Sequence, residues 1–127
     1  MVEPKVEVPV AEGTSKTISD DTLKWLSKGD ADTSVYFGVK NGESVYTGIT
    51  KQELAKRLYQ HNYNGKGFDT LIEQVGGLTK NQARAVEQYL IENGPANAMN
   101  KANSISPNSK YYTEALQWAE NFVKNLK

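Results

Sequence analysis

The apolar positions change their spacing along the chain, and each change marks an element. Leu23, Trp25 and Leu26 follow a Ser19 or Asp20 cap and stop at Gly29, which predicts a short helix. Ser34 to Lys40 and Glu43 to Ile49 are rich in β-branched and aromatic residues on either side of Asn41-Gly42, the strongest short hairpin signal. Thr50 with Glu53 three residues on reads as a capping box, opening a helix with Leu54, Ala55 and Leu58 on one stripe until about His61. Residues 62–67 are turn chemistry, and Phe68 to Val75, bounded by glycines at 65, 67, 76 and 77, reads as a third strand. Thr79 with Gln82 is a second capping box, leading into a helix through Ala83, Val86, Leu90 and Ile91 that ends at Gly94-Pro95. After a loop rich in Asn and Ser, Tyr112, Ala115, Leu116, Ala119, Phe122, Val123 and Leu126 fall on one face of a last, amphipathic helix. The order predicts an α+β fold: a small three-stranded antiparallel or mixed sheet flanked by helices, with a short helix before it and an amphipathic one after. Residues 1–17 show little periodicity and carry Pro4 and Pro9, which predicts a linker or disordered leader; residues 18–127 are expected to form one domain.

Composition narrows the chemistry. With no cysteine, neither disulfides nor a thiolate zinc site is possible, and the one histidine, His61, cannot complete a histidine-rich metal site, so any metal must sit on oxygen. No apolar run approaches the roughly 20 residues needed to cross a bilayer, and a soluble chain is expected, with any export signal lying elsewhere. The zero net charge argues against indiscriminate nucleic-acid binding. The charge is unevenly placed, however: residues 1–32 hold four lysines against seven acids, net −3, and residues 33–127 hold eleven basic residues against eight acids, net +3.

Three sets of residues can carry chemistry. Tyr36 and Tyr46 lie in the two arms of the hairpin. A two-residue turn at Asn41-Gly42 pairs Lys40 with Glu43 and sends the two tyrosines to opposite faces; a three-residue turn places them directly across from each other, both hydroxyls on one face. Arg57 and His61 are four apart on the predicted helix and can meet one phosphate together. Glu87 has Ala83, Leu90 and Ile91 as its helical neighbours, an apolar rim that predicts half burial and suits a hard divalent ion; the ordinary alternative is a surface ion pair with Arg84.

Taken in order, Val35-Tyr36, nine residues, Tyr46-Thr47-Gly48, then Arg57 with His61, Glu87, and Met99-Asn100 form a pattern that resembles the GIY-YIG nuclease motif. The resemblance spans residues 33–105. It departs from the family where Ser34-Val35 stand for the first Gly-Ile and Thr47 for the second Ile, which affects register more than chemistry. It implies a metal-dependent endonuclease acting on DNA with one Mg2+ (or Mn2+) held by Glu87, Tyr36 activating water, Tyr46 hydrogen-bonding water or phosphate, and Arg57 and His61 supplying positive charge. Asn100, or Asn103 if the loop length differs, would orient the Glu87 region. The segment 100–107 also resembles the ending of GIY-YIG-like toxin domains of bacterial secreted polymorphic toxins. That resemblance implies delivery from one bacterium into the cytoplasm of another, with a cognate immunity protein as partner. The alternatives are a non-catalytic nucleic-acid- or protein-binding module on the same fold, and a repair or restriction nuclease.

Overall fold

The computed structural model describes residues 18–100 and 102–126, so the expected linker character of residues 1–17 lies outside the described residues. Within them the chain is α+β: α1 (Asp20–Leu26), β1 (Thr33–Lys40), β2 (Glu43–Thr50), α2 (Leu54–Tyr63), β3 (Thr70–Leu78), α3 (Lys80–Asn93) and α4 (Tyr112–Lys124). The strands make one antiparallel sheet in the order β2-β1-β3. No helix among the described residues is long and apolar enough to cross a membrane.

Local chemistry explains most boundaries. Ser19 caps α1 by accepting from the Thr22 N–H, and at the start of α3 Thr79 and Gln82 form a reciprocal capping box. The capping box expected at Thr50 is not made. Thr50 remains in β2, where its hydroxyl accepts from the Gln52 N–H at 2.9 Å, and α2 begins at Leu54 behind Glu53, which makes no side-chain cap bond. A short Thr-based turn engages the hydroxyl at the Gln52 N–H rather than at the Glu53 N–H a capping box would use, and the helix starts later. The third strand likewise starts at Thr70 rather than Phe68 and runs on to Leu78.

Alternation along β1 divides the interior into two cores. Val35 points to the side covered by α1, α3 and α4 and packs in a cluster with Leu26, Leu78, Val86, Ile105 and Trp118. The small residues Ala83, Ala85, Ala115 and Ala119 in the same cluster are buried, which lets α3 and α4 approach closely. Tyr36, the next residue, points the other way, into a second cluster with Phe68 and Leu71, completed by Val45, Tyr46, Leu54, Leu58 and Met99. The candidate site grows out of that second, more polar core.

Candidate functional site

The hairpin decides whether the two tyrosines meet. Its turn is the two-residue type: Lys40 pairs with Glu43, and Asn41 and Gly42 both have positive φ, 54° and 81°. On that register alone the phenols would separate. They do not, because the pairing slips between Gly38 and Val39: Val39 pairs with Ser44 and Gly38 with Tyr46, leaving Val45 as a bulge. The extra residue turns Tyr46 onto the face of Tyr36, which pairs with Gly48. The bulge is tied down from outside the sheet, where the Met99 N–H donates to the Val45 carbonyl at 2.7 Å. The rings end with centroids 6.3 Å apart.

Gly48 is the platform for both. A Cβ there would lie 2.6 Å from Tyr36 Cζ and 2.9 Å from Tyr46 Cε2, and nearer still to the Tyr36 hydroxyl, so only a residue without one lets the phenols cross this strand.

From α2, Arg57 and His61 converge on the Tyr36 hydroxyl. His61 Nε2 lies 2.7 Å from it, and Arg57 Nε donates to it at 3.3 Å while Nη1 donates to Gln60 at 3.0 Å. Since arginine has only donors, the hydroxyl accepts from Arg57; it donates to His61 Nε2 in the tautomer that carries the imidazole proton on Nδ1. His61 also stands edge-on to Tyr46 and Phe68, with centroids 5.2 and 5.1 Å away.

Burial sets the charge states. Desolvation pushes the Tyr36 phenol up to about 12, outweighing the Arg57 hydrogen bond that pulls it down. His61 is drawn down to about 4 by burial first, then by the charges of Arg57 and Lys66. The imidazole is therefore neutral near pH 7. The positive charge expected of His61 is not there, because burial disfavours it and two cations already face the ring; Arg57 and Lys66 carry the positive charge instead. Tyr46 is raised by burial and then by the Glu87 carboxylate, with Arg57 opposing.

Glu87 shares the cleft wall with Tyr46, half-buried on α3 as expected. Burial raises its pKa, and a Ser104 hydrogen bond and the Arg84 charge lower it. The Arg84 guanidinium is bound to the Ser104 carbonyl through Nε at 3.1 Å and Nη2 at 2.8 Å, so it supports the loop beside Glu87. Tyr46, Glu87, Lys66, Asn100 and Asn103 line an open cleft of about 660 Å³, in which Glu87 is the only carboxylate among the described lining residues. Among the described residues no three His, Asp or Glu gather as a metal-binding cluster. The donor set is thus one carboxylate with room for water, which fits magnesium, an ion that commonly takes one or two carboxylates and keeps several waters.

Asn100 does something other than orient Glu87. Its side-chain amide accepts from the Thr47 N–H at 2.9 Å and donates to the Thr47 carbonyl at 2.8 Å, as a neighbouring strand would. Together with the Thr47 hydroxyl, which donates to the Ala96 carbonyl at 2.6 Å, it fastens the loop 96–100 to the open edge of β2. Asn103 is the asparagine coupled to the Glu87 side of the cleft, by accepting from Gln88 Nε2 at 3.0 Å.

The structure therefore brings Tyr36, Tyr46, Arg57 and His61 into one network and puts Glu87 in the cleft that Tyr46 lines. One expected role shifts. Tyr36 is fully buried, its hydroxyl engaged on both sides and absent from the cleft wall, so the phenol able to meet a bound water is that of Tyr46.

Three residues of this site carry no obvious mark in the sequence. Gln88, fully buried, accepts from the Ser104 and Ile105 N–H groups at 2.6 and 3.1 Å and shapes the cleft rim. Phe68 packs against the Tyr46 and His61 rings, held by the Asn62 side chain, which bonds both its N–H and its carbonyl. Lys66 lies with its ammonium 5.6 Å from the Tyr46 ring centroid. A polar residue inside a helix or a lysine in a glycine-rich turn is ordinarily solvated, and only the fold reveals the difference.

The arrangement defines an α+β domain with a tyrosine, arginine and histidine network beside a single-carboxylate cleft. Compared with protein-family models, with curated proteins and with solved structures, the chain matches none.

Proposed function

We propose that this domain is a GIY-YIG-type endonuclease that cuts the phosphodiester backbone of DNA, using one Mg2+ or Mn2+ ion held by Glu87. The observation that carries the reading is the convergence of Tyr36, Tyr46, Arg57 and His61 on one face of the sheet, beside the cleft that contains Glu87. When bound, the ion supplies Lewis-acid stabilisation of the leaving oxygen.

The chain's own residues divide the rest. Tyr46, a neutral phenol at the cleft wall, positions the attacking water or a phosphate oxygen by hydrogen bonding. Arg57 uses Nε on Tyr36 and Nη1 on Gln60, which fixes the plane of the guanidinium and leaves its other N–H groups for a phosphate. That charge offsets the extra negative charge of the pentacovalent transition state. Tyr36 and neutral His61 are positioning residues, locking Arg57 and the edge of Tyr46; Asn100 and Gln88 hold the loop between α3 and α4 that lines the cleft. The toxin reading, with delivery into a bacterial cytoplasm and a cognate immunity protein over the cleft, rests on the resemblance of segment 100–107.

Plasmid nicking in magnesium tests the activity. Wild type is expected to convert supercoiled to open-circular DNA, and Arg57→Ala and Glu87→Ala to lose at least a hundredfold in rate, the scale seen when a transition-state charge partner is removed. Equal rates in all three proteins would sink the assignment, and magnesium-independent binding without cleavage products would favour a non-catalytic module.

A further inference from the structure

The chain leaves α2 through the turn 64–67, folded tightly by positive φ at Gly65 and Gly67, 92° and 69°, and by the Lys66 N–H donating to the His61 carbonyl at 3.0 Å. This places the Lys66 side chain in the cleft wall, above Tyr46 and close enough for its charge to act on His61. The ion pairs among the described residues are Lys110–Asp21 and Lys124–Glu120, so Lys66 faces the cleft without a carboxylate of its own. On the other side of the same turn lies a second such cation. Lys40, at the end of β1, has Cε and Nζ 3.5 and 3.6 Å from the point where a Cβ on residue 67 would sit. The ammonium of Lys40 therefore lies in contact range of the turn.

Two ammonium groups thus flank one rigid turn, Lys66 on the cleft side beside Tyr46 and Lys40 beyond it. Lys66, half-buried in the cleft wall over the Tyr46 ring, offers a positive charge held in place for an anion entering the cleft. A protein of zero net charge needs such a local concentration to hold a polyanion.

We propose that the turn 64–67, with Lys66 and Lys40, is a subsite for the phosphates flanking the scissile one, a track along which the nucleic-acid backbone leaves the cleft. The proposal rests on the nuclease reading for its ligand. It assigns Lys66 and Lys40 to sequence-independent phosphate contact, and it predicts uniform weakening across DNA sequences when either is lost.

The test is binding of the full chain to a short fluorescein-labelled DNA duplex, followed by anisotropy across a salt series in chelator, so that no cleavage intervenes. Each phosphate contact contributes about one to the slope of log affinity against log salt. Lys66→Gln and Lys40→Gln are each expected to flatten the slope by about one and the double variant by about two. Lys66→Arg should keep it, as should Lys80→Gln, an exposed lysine at the start of α3. A wild-type slope in Lys66→Gln, or no binding of the duplex by the wild type, would overturn the proposal. Slopes that fall as stated without nicking in magnesium would keep the track and remove the catalytic reading; nicking with an unchanged slope would do the reverse.

Discussion

Replacing Gly48 by alanine tests the geometry on which the site depends. The added methyl would be 2.6 Å from Tyr36 Cζ and 2.9 Å from Tyr46 Cε2, well inside contact distance with two rings. Neither ring can swing aside cheaply. Tyr36 is fully buried between His61 and Arg57, and Tyr46 is backed by Phe68, 5.5 Å away between centroids. Overpacking of this kind costs about 1–3 kcal/mol, and loss of the Tyr36–His61 hydrogen bond adds about 1 kcal/mol. Gly48→Ala should therefore destabilise the fold by roughly 2–4 kcal/mol in urea denaturation and lower nicking further by displacing Tyr46. Gly76→Ala is the matched control: its Cβ would be 2.9 Å from Glu73 Oε2, the mobile end of an exposed side chain. That change should cost less than about 1 kcal/mol. In a Tyr36→Leu background the cost of alanine at 48 should shrink, because the ring it strikes is gone. Equal stability of Gly48→Ala and Gly76→Ala, or full additivity with Tyr36→Leu, would refute the crossing of the phenols over this glycine.

Two further outcomes follow from the charge states and the buried amide. His61 has a folded pKa drawn from 6.5 down to about 4, so the unfolded chain binds the proton more readily. Its contribution is complete above pH 6.5 and is lost as pH falls toward 4, about 2 kcal/mol after solvent screening is allowed for. Denaturation midpoints at neutral and acid pH should diverge less for His61→Gln than for wild type, and identical pH dependence in the two would contradict the assignment. Gln88→Leu strands the Ser104 and Ile105 N–H groups, which predicts a loss of about 2–4 kcal/mol and faster hydrogen exchange at those two amides; unchanged exchange would show that Gln88 does not hold the loop.

The sequence announced the elements better than it announced their meeting. Ser19, the Thr79–Gln82 box and Asn41-Gly42 are local chemistry, and each acts where its spacing says. Thr50 failed as a cap because the same side chain could satisfy Gln52 without a helix. The bulge at Val45 was illegible for a different reason. Nothing in Ser44-Val45-Tyr46 demands an extra residue; what stabilises it is the Met99 N–H arriving from a segment some fifty residues away. The two-residue turn is one of the two that the sequence allows, yet the face of Tyr46 is decided elsewhere. Lys66 and Gln88 were missed by the same logic in reverse, since polar residues default to solvent until a tertiary partner claims them.

The zero net charge, which weighs against a nucleic-acid ligand when the chain is taken whole, loses its force once the charges are placed. What a phosphate meets is a local field, strengthened where water is excluded. Near Tyr46 that field comes from Arg57 and Lys66 against Glu87, with His61 neutral through burial first and those two cations second. Neutrality of His61 comes mainly from its burial, with the positive potential reinforcing it, so the imidazole adds no third charge to the site. A site assembled this way binds through few phosphate contacts. Its affinity should then fall gently with salt, unlike that of proteins covered in lysine, and discrimination among polyanions must come from the shape of the cleft between β2 and the loop that Asn100 and Gln88 hold in place.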